Sequence, residues 1–142
     1  MPTNQKVHLV SCVGKKRPYP SRAKDLYVSP WFQLARQYAE STGSPWFILS
    51  ARYGLLAPDQ MIEPYEQTLN TMPIEERRAW ADRVRDQLSE HLRDVEQVVF
   101  LAGARYREFW ADQLRDRGIQ VEIPMDGLTI GRQLQWLKRH TR

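Results

Sequence analysis

The residues best suited to chemistry in this chain fall in three short turns, each following an apolar run. The first is Ser11-Cys12-Val13-Gly14-Lys15-Lys16, after Val7–Val10. The second is Ser50-Ala51-Arg52-Tyr53-Gly54, after Trp46–Leu49, and the third is Ala102-Gly103-Ala104-Arg105-Tyr106, closing the run that begins at Gln97. Each turn pairs cations with a glycine, and the last two add a tyrosine. Lys15, Lys16 and Arg52 are of a type that neutralises a phosphate or a carboxylate. Glycine lets a backbone approach a ligand that a side chain would hold off, or adopt a conformation a side chain would forbid, which is the role expected of Gly54 and Gly103. Tyr53, Tyr106 and the upstream Tyr27 could stack on or orient a nucleobase.

Three carboxylates stand near these turns as candidate acid/base groups: Asp25, Glu63 and Asp126. Asp25 precedes Tyr27 and Ser29 in Asp25-Leu26-Tyr27-Val28-Ser29-Pro30, where Ser29 is a good helix cap and the helix start itself offers free N–H groups to an anion. The plainer expectation for Asp25 is an ion pair with Lys15 or Arg22, and for Glu63 a surface carboxylate. Asp126 and Gly127 follow a fourth apolar run, with Gln133 on the helix beyond. Cys12 lies at a strand end beside cations, which would lower its pKa and favour a nucleophilic thiolate. No histidine stands in its turn to act as a base, so a small buried packing residue is the plainer reading. His8, His91 and His140 are dispersed and form no triad or metal-ligand spacing. The spacings of a P-loop and of a dinucleotide fingerprint are both absent. No metal and no cofactor are expected.

The elements needed to position these turns can be read from apolar spacing. Ser29 and Pro30 open a helix that carries Leu34, Ala35, Tyr38 and Ala39 at three- and four-residue spacing and ends near Gly43. Pro73 opens another, with Glu75 and Glu76 in its first turn and Trp80, Val84, Leu88 and Leu92 every fourth residue. Tyr106, Phe109, Trp110 and Leu114 predict a third helix, stopped near Gly118. Ile119–Pro124 predicts an edge strand, and Leu134 and Leu137 a last helix after the Gly127/Gly131 turn. Strands alternating with helices imply a three-layer, Rossmann-like α/β domain: a mostly parallel, four-stranded sheet with helices on both faces, spanning residues 1–142. The turns would then share the carboxyl ends of the strands, where open α/β sheets bind ligands. Residues 53–70 show no period, and an irregular segment of that length suggests a lid that closes on ligand. The competing expectation is a rigid loop with Leu55, Leu56, Ile62 and Leu69 packed inward.

Composition bounds the partners. The charged fraction of 27% and hydrophobic fraction of 42% are ordinary for a globular domain, so neither disorder nor a membrane span is expected. A single cysteine cannot form an internal disulfide, and the start of the chain, Met1–Lys6, lacks the apolar core of a signal peptide. Together these point to the cytoplasm. Net charge is +4 at pH 7, concentrated in residues 1–25 and 128–142, which suits a phosphate-bearing partner.

Taken together, the motifs Ser11-Cys12-x-x-Lys15-Lys16, Ala23-x-Asp25-Leu26-Tyr27-x-Ser29, Ile48-Leu49-Ser50-Ala51-x-Tyr53-Gly54-Leu55, Leu101-Ala102-Gly103-x-x-Tyr106 and Gly131-x-Gln133-x-x-Trp136-Leu137 resemble an uncharacterised bacterial and phage domain family. The resemblance covers nearly the whole chain and implies no activity. More distantly, the Cys-x-x-Lys turn with its downstream Tyr and Ser is similar to a domain of archaeosine synthases, which modify transfer RNA with 7-deazaguanines. That domain has been likened to the uracil-DNA glycosylase fold. The likeness implies a nucleobase or nucleic-acid ligand and lends no catalytic residues. The expectation drawn is a basic, Tyr-lined pocket that binds a nucleoside, nucleotide or nucleic-acid base and cleaves its N-glycosidic bond. Two alternatives remain at this stage: a non-catalytic nucleic-acid-binding module using the basic ends, and a Cys12-dependent enzyme.

Overall fold

The computed structural model describes residues 5–12 and 14–141. Val13, part of the first turn, the Met1–Asn4 start and Arg142 lie outside them. The elements in order are β1 (Gln5–Ser11), β2 (Ser21–Arg22), α1 (Ala23–Leu26), α2 (Pro30–Ser41), β3 (Trp46–Ser50), β4 (Gly54–Leu56), β5 (Met61–Ile62), a 3-10 turn at Leu69–Thr71, α3 (Ile74–Ser89), β6 (Val95–Leu101), α4 (Ala104–Arg107), α5 (Ala111–Asp116), β7 (Gln120–Glu122) and α6 (Ile130–His140).

The result is a mixed α/β fold around a five-stranded, mostly parallel sheet in the order β4-β3-β1-β6-β7. The sequence reading predicts four strands; the fifth is β4, which runs antiparallel to β3 with Ser50 opposite Gly54 and Ile48 opposite Leu56. Gly54 has φ +76°, a conformation that side chains rarely adopt, so the glycine lets the chain reverse there. The strand is only three residues long, too short for an alternation pattern to register.

β1 is central because it is apolar on both faces. Val7, Leu9 and Val10 are buried, and the strand pairs in parallel with β3 on one side and β6 on the other. Ser29 caps α2 as its sequence predicts, accepting from the Phe32 N–H at 3.2 Å, and α2 buries Trp31, Phe32, Ala35 and Ala39. The predicted third helix is broken in two. Phe109 has φ +74°, separating α4 from α5, and its ring lies under the Arg78 guanidinium at 4.5 Å. The break turns Trp110 into the core, edge-on to Phe100, with its indole N–H donating to the Tyr106 carbonyl at 3.0 Å.

Residues 53–70 are irregular over 57–60 and 63–68 but carry short pieces of regular structure between. They hold β4, β5 and the 3-10 turn, and Leu56, Ile62 and Leu69 are buried while Leu55 is half-buried. The segment is packed down, in the manner of the inward-packed loop. β5 pairs antiparallel with β2, tying the segment to the loop after β1. No helix among the described residues is long and apolar enough to cross a membrane.

One buried polar residue interrupts β1. His8 is 1% exposed and its Nδ1 has no hydrogen-bond partner among the described residues. Burial, reinforced by the positive charge of Lys6, lowers its pKa from 6.5 to about 4. The folded state therefore refuses a proton that the unfolded state accepts. Stability should fall as pH drops from about 6.5 towards 4, and His8→Leu should flatten that part of the profile. Urea midpoints measured across this range check it, and an unchanged profile in the variant would assign the acid sensitivity to other groups.

Candidate functional site

The parallel pairing of β1, β3 and β6 brings the three predicted turns to one end of the sheet. Ser11 pairs with Leu49 and Val10 with Leu101, and the Cys12 N–H extends the ladder to the Leu49 carbonyl at 3.0 Å. The loop after β1 then folds back on the start of α2. Gly14 has φ +75°, and a Cβ there would meet the Ser29 Cβ at 2.8 Å, so only glycine fits this approach. The Val28 N–H donates to the Lys15 carbonyl and the Arg17 N–H to the Leu26 carbonyl, each at 2.9 Å. The lysines are thereby held on a backbone-anchored loop rather than a free one.

Beneath this surface lies a buried line of hydroxyls and a thiol. The Ser50 hydroxyl donates to the Tyr65 oxygen at 2.8 Å, and the Tyr65 and Tyr27 hydroxyls are 2.6 Å apart. Ser50 Oγ also accepts from the Tyr53 N–H at 3.0 Å, and the Ser50 carbonyl accepts from the Trp80 indole at 2.8 Å. The Cys12 thiol donates to the Tyr106 hydroxyl at 3.6 Å, joining the ends of β1 and β6. Lys16 Nζ covers the cluster, 4.7 Å from the centre of the Tyr65 ring. Burial, and after it the nearby Cys12, pushes the Tyr27, Tyr65 and Tyr106 phenols well above their ordinary range. These groups are neutral, hydrogen-bonded and inside the protein. Tyr27 and Tyr106 therefore do not present their rings to a ligand, contrary to the stacking role predicted for them. Tyr53 is half-buried, and its hydroxyl meets the backbone of Glu63. Cys12 is buried at 6% exposure, as the packing reading expects.

Openings flank the cluster on two sides. Between the ends of β6 and β7 and the starts of α2 and α6 is a cavity of about 80 Å3 lined by Trp31, Gly103, Arg107, Asp126, Gly127 and Gln133. Its walls are fixed by hydrogen bonds. The Trp31 indole donates to Gln133 Oε1 at 2.8 Å, the Gln133 amide donates to the Leu128 carbonyl at 2.8 Å, and Arg107 holds Asp126 at 2.9 Å. On the other side, Arg52 and Arg83 border a cleft of about 370 Å3 with Ala51, Gln67 and Trp80.

The chain belongs to a family of unknown function, DUF6884. The family model matches residues 7–139, which takes in all of these turns. The chain is also similar to the uncharacterized protein YfjM of Bacillus subtilis (strain 168), 36% identical over 108 residues that make up 70% of each chain. No solved structure matches it.

Of the predicted site residues in this family member, Ser11, Cys12, Tyr27, Ser50 and Tyr106 come together in the buried line or at its edge, with Lys16 above it. Lys15, Ser29, Arg52, Tyr53 and Gly54 border it on the loops, while Gly103, Asp126, Gly127 and Gln133 form the neighbouring cavity. The carboxylates are not gathered. Asp25 pairs with Arg36 of α2 at 2.9 Å, in place of the Lys15 or Arg22 pairing expected. Asp126 pairs with Arg107, and Glu63 is exposed with no ion pair among the described residues. Sequence reading does not select Trp31 or Arg107, and it selects Tyr65 only as a ring of the 53–70 segment suited to a base. Tyr65 carried a signal, as an aromatic in a long Pro-containing segment. The role of Trp31 rests on Gln133, which is 102 residues away.

Tyr65→Phe removes the oxygen between Ser50 and Tyr27. It should destabilise the fold by about 1–3 kcal/mol, the cost of leaving buried hydroxyls unpaired. The raised phenols keep their protons in the folded state above the unfolded value near 10, so their contribution is complete below that pH and is lost as pH rises past it. Tyrosinate absorbance should therefore show these three ionising only with cooperative alkaline unfolding, and ionisation in the folded protein would contradict the buried line.

Proposed function

We propose that this protein binds a nucleoside or nucleotide at the carboxyl ends of its strands and hydrolyses the N-glycosidic bond. The observation that carries the reading is the strand order. β1 leads through α2 to β3 on one side, and the chain then crosses back to β6 on the other. In open α/β sheets the loops diverge at such a reversal and leave the crevice in which ligands bind. The finer Rossmann-like, three-layer reading is supported by the pairing of β1. His8 meets Tyr38 of α2, while Phe100, which pairs with the next residue, Leu9, meets Trp110 beside α5. Alternate residues of a strand face opposite sides, so helices on both faces fit these contacts.

The cavity beside this crevice, at about 80 Å3, is well below the roughly 300–1,000 Å3 of a pocket that encloses a whole ligand. It has room for water and part of a sugar, so the base and phosphate extend along the rim. Lys15, Lys16 and Arg52 supply cations for the phosphate, and Tyr53 is the ring open to a base. Asp126, oriented by Arg107, is the acid/base group at the cavity wall. It takes a proton from water as the water oxygen bonds to the anomeric carbon. The C–N bond breaks, and the base leaves carrying the returned proton on nitrogen. The nucleobase part of the reading also draws on the distant likeness of the Cys12-x-x-Lys15 turn to the archaeosine synthase domain.

Calorimetric titration with the ribonucleoside monophosphates, and chromatography for released base, test the proposal. Lys15→Ala with Lys16→Ala should weaken binding and flatten its salt dependence. Asp126→Asn should leave binding in place and slow base release by about a hundredfold or more. Cys12→Ser should retain activity; its loss in a folded variant would favour the Cys12-dependent alternative. Steeply salt-dependent binding to single-stranded RNA or DNA with no base released would favour the non-catalytic module. No binding to any of these probes would remove the reading.

A further inference from the structure

A second site is formed away from the strand ends, where His8 stands in the middle of the sheet. His8, Val99 and Glu122 form one row across β1, β6 and β7, and Lys6 lies two residues before His8 on the same face. Tyr38 of α2 packs edge-on to His8 at 5.8 Å between ring centres, and Trp136 of α6 packs edge-on to Tyr38 at 5.1 Å. Between these walls is a groove of about 430 Å3, which also takes in Ser44 and is large enough for a small molecule. His8 is almost wholly buried, lines this groove, and holds an Nδ1 with no partner among the described residues.

We infer that this groove binds a small zwitterion of the α-amino-acid class, with the carboxylate at Lys6 and His8 and the ammonium at Glu122 beside the rings of Tyr38 and Trp136. The two charges are on different sides of the groove. Lys6 is on β1 and Glu122 on β7, with β6 between them, and both line the groove. Two strand spacings of about 4.8 Å separate the His8 and Glu122 backbones, a span that a small molecule with a charge of each sign can bridge. A neutral imidazole donates one N–H, which suits a carboxylate. Glu122 Oε1 accepts from Gln97, which leaves Oε2 for an ammonium that the neighbouring aromatic rings also attract. A nucleotide fits poorly here, because several negative charges would meet one lysine and face Glu122. A metal ion fits poorly too, since no group of three or more suitable ligands occurs among the described residues.

The test is nitrogen NMR of protein labelled in its histidine rings, titrated at millimolar concentration with the twenty common L-amino acids. Acetate and methylammonium serve as single-charge probes. At least one amino acid should shift the His8 ring nitrogens saturably and leave those of His91 in place, and acetate and methylammonium should bind at least about tenfold more weakly. Glu122→Gln, at an exposed position, should weaken amino-acid binding by about tenfold or more with the thermal midpoint retained. The Lys15→Ala, Lys16→Ala protein should bind the amino acid unchanged, which separates this site from the nucleotide crevice. No shift at His8 with any amino acid, equal binding of acetate, or an unaffected Glu122→Gln protein would overturn the inference.

Discussion

Ser50 is the point on which the carboxyl end of the sheet depends. It is fully buried, and its two oxygens engage three separate parts of the chain: Tyr65 from the long segment, the backbone of Tyr53 in the hairpin, and Trp80 from α3. Burying a hydroxyl and a carbonyl at a strand end is costly unless both are satisfied, and here each has a partner. Tyr65 passes the network on to Tyr27, and so to the chain that leads into α2. Hydrogen bonds linked in this way in a low-dielectric interior reinforce one another. The loops that carry the cations are therefore mounted on a rigid base.

That base separates two kinds of residue that look alike in the sequence. Tyrosines inside the line hold the loops in place, and the cations and exposed backbone above them are left to meet a ligand. The basic residues of the chain's two ends are partly drawn together by the same packing. The Lys15–Lys16 loop rests on the start of α2 through Gly14 and Ser29, and α6 reaches the same turn of α2 through the Gln133–Trp31 hydrogen bond. Lys15 and Lys16 stand at the strand ends, while Lys138 and Arg139 lie in the last turn of α6, so the positive charge is spread rather than focused at a point.

The amphipathic helices and the central strand serve two clefts at once. At the strand ends, β1 contributes a loop. In its middle it contributes His8, a polar group at a position where an apolar side chain would pack without cost. A polar residue kept at such a position has to be accommodated by its surroundings, and the groove between α2 and α6 leaves room beside it.

The sequence by itself determined the parallel strands, the helix starts and the meeting of the three turns. These follow from local properties: an apolar run buried on both faces, and Ser29 with Pro30 at a helix start. Helical crossovers between such strands make them parallel, which puts their carboxyl ends together. The tertiary structure alone decided which side chains stay available. Tyr27 is buried because Tyr65, 38 residues away, lies against it. Asp25 is engaged because Arg36 reaches it from α2, whereas Asp126 is held by Arg107 at the cavity wall. The helix after β6 breaks because Trp110 turns inward onto Phe100, and β4 forms because β3 has an open edge to pair with. In each case the partner is set by packing between distant segments, which apolar spacing along the chain does not encode.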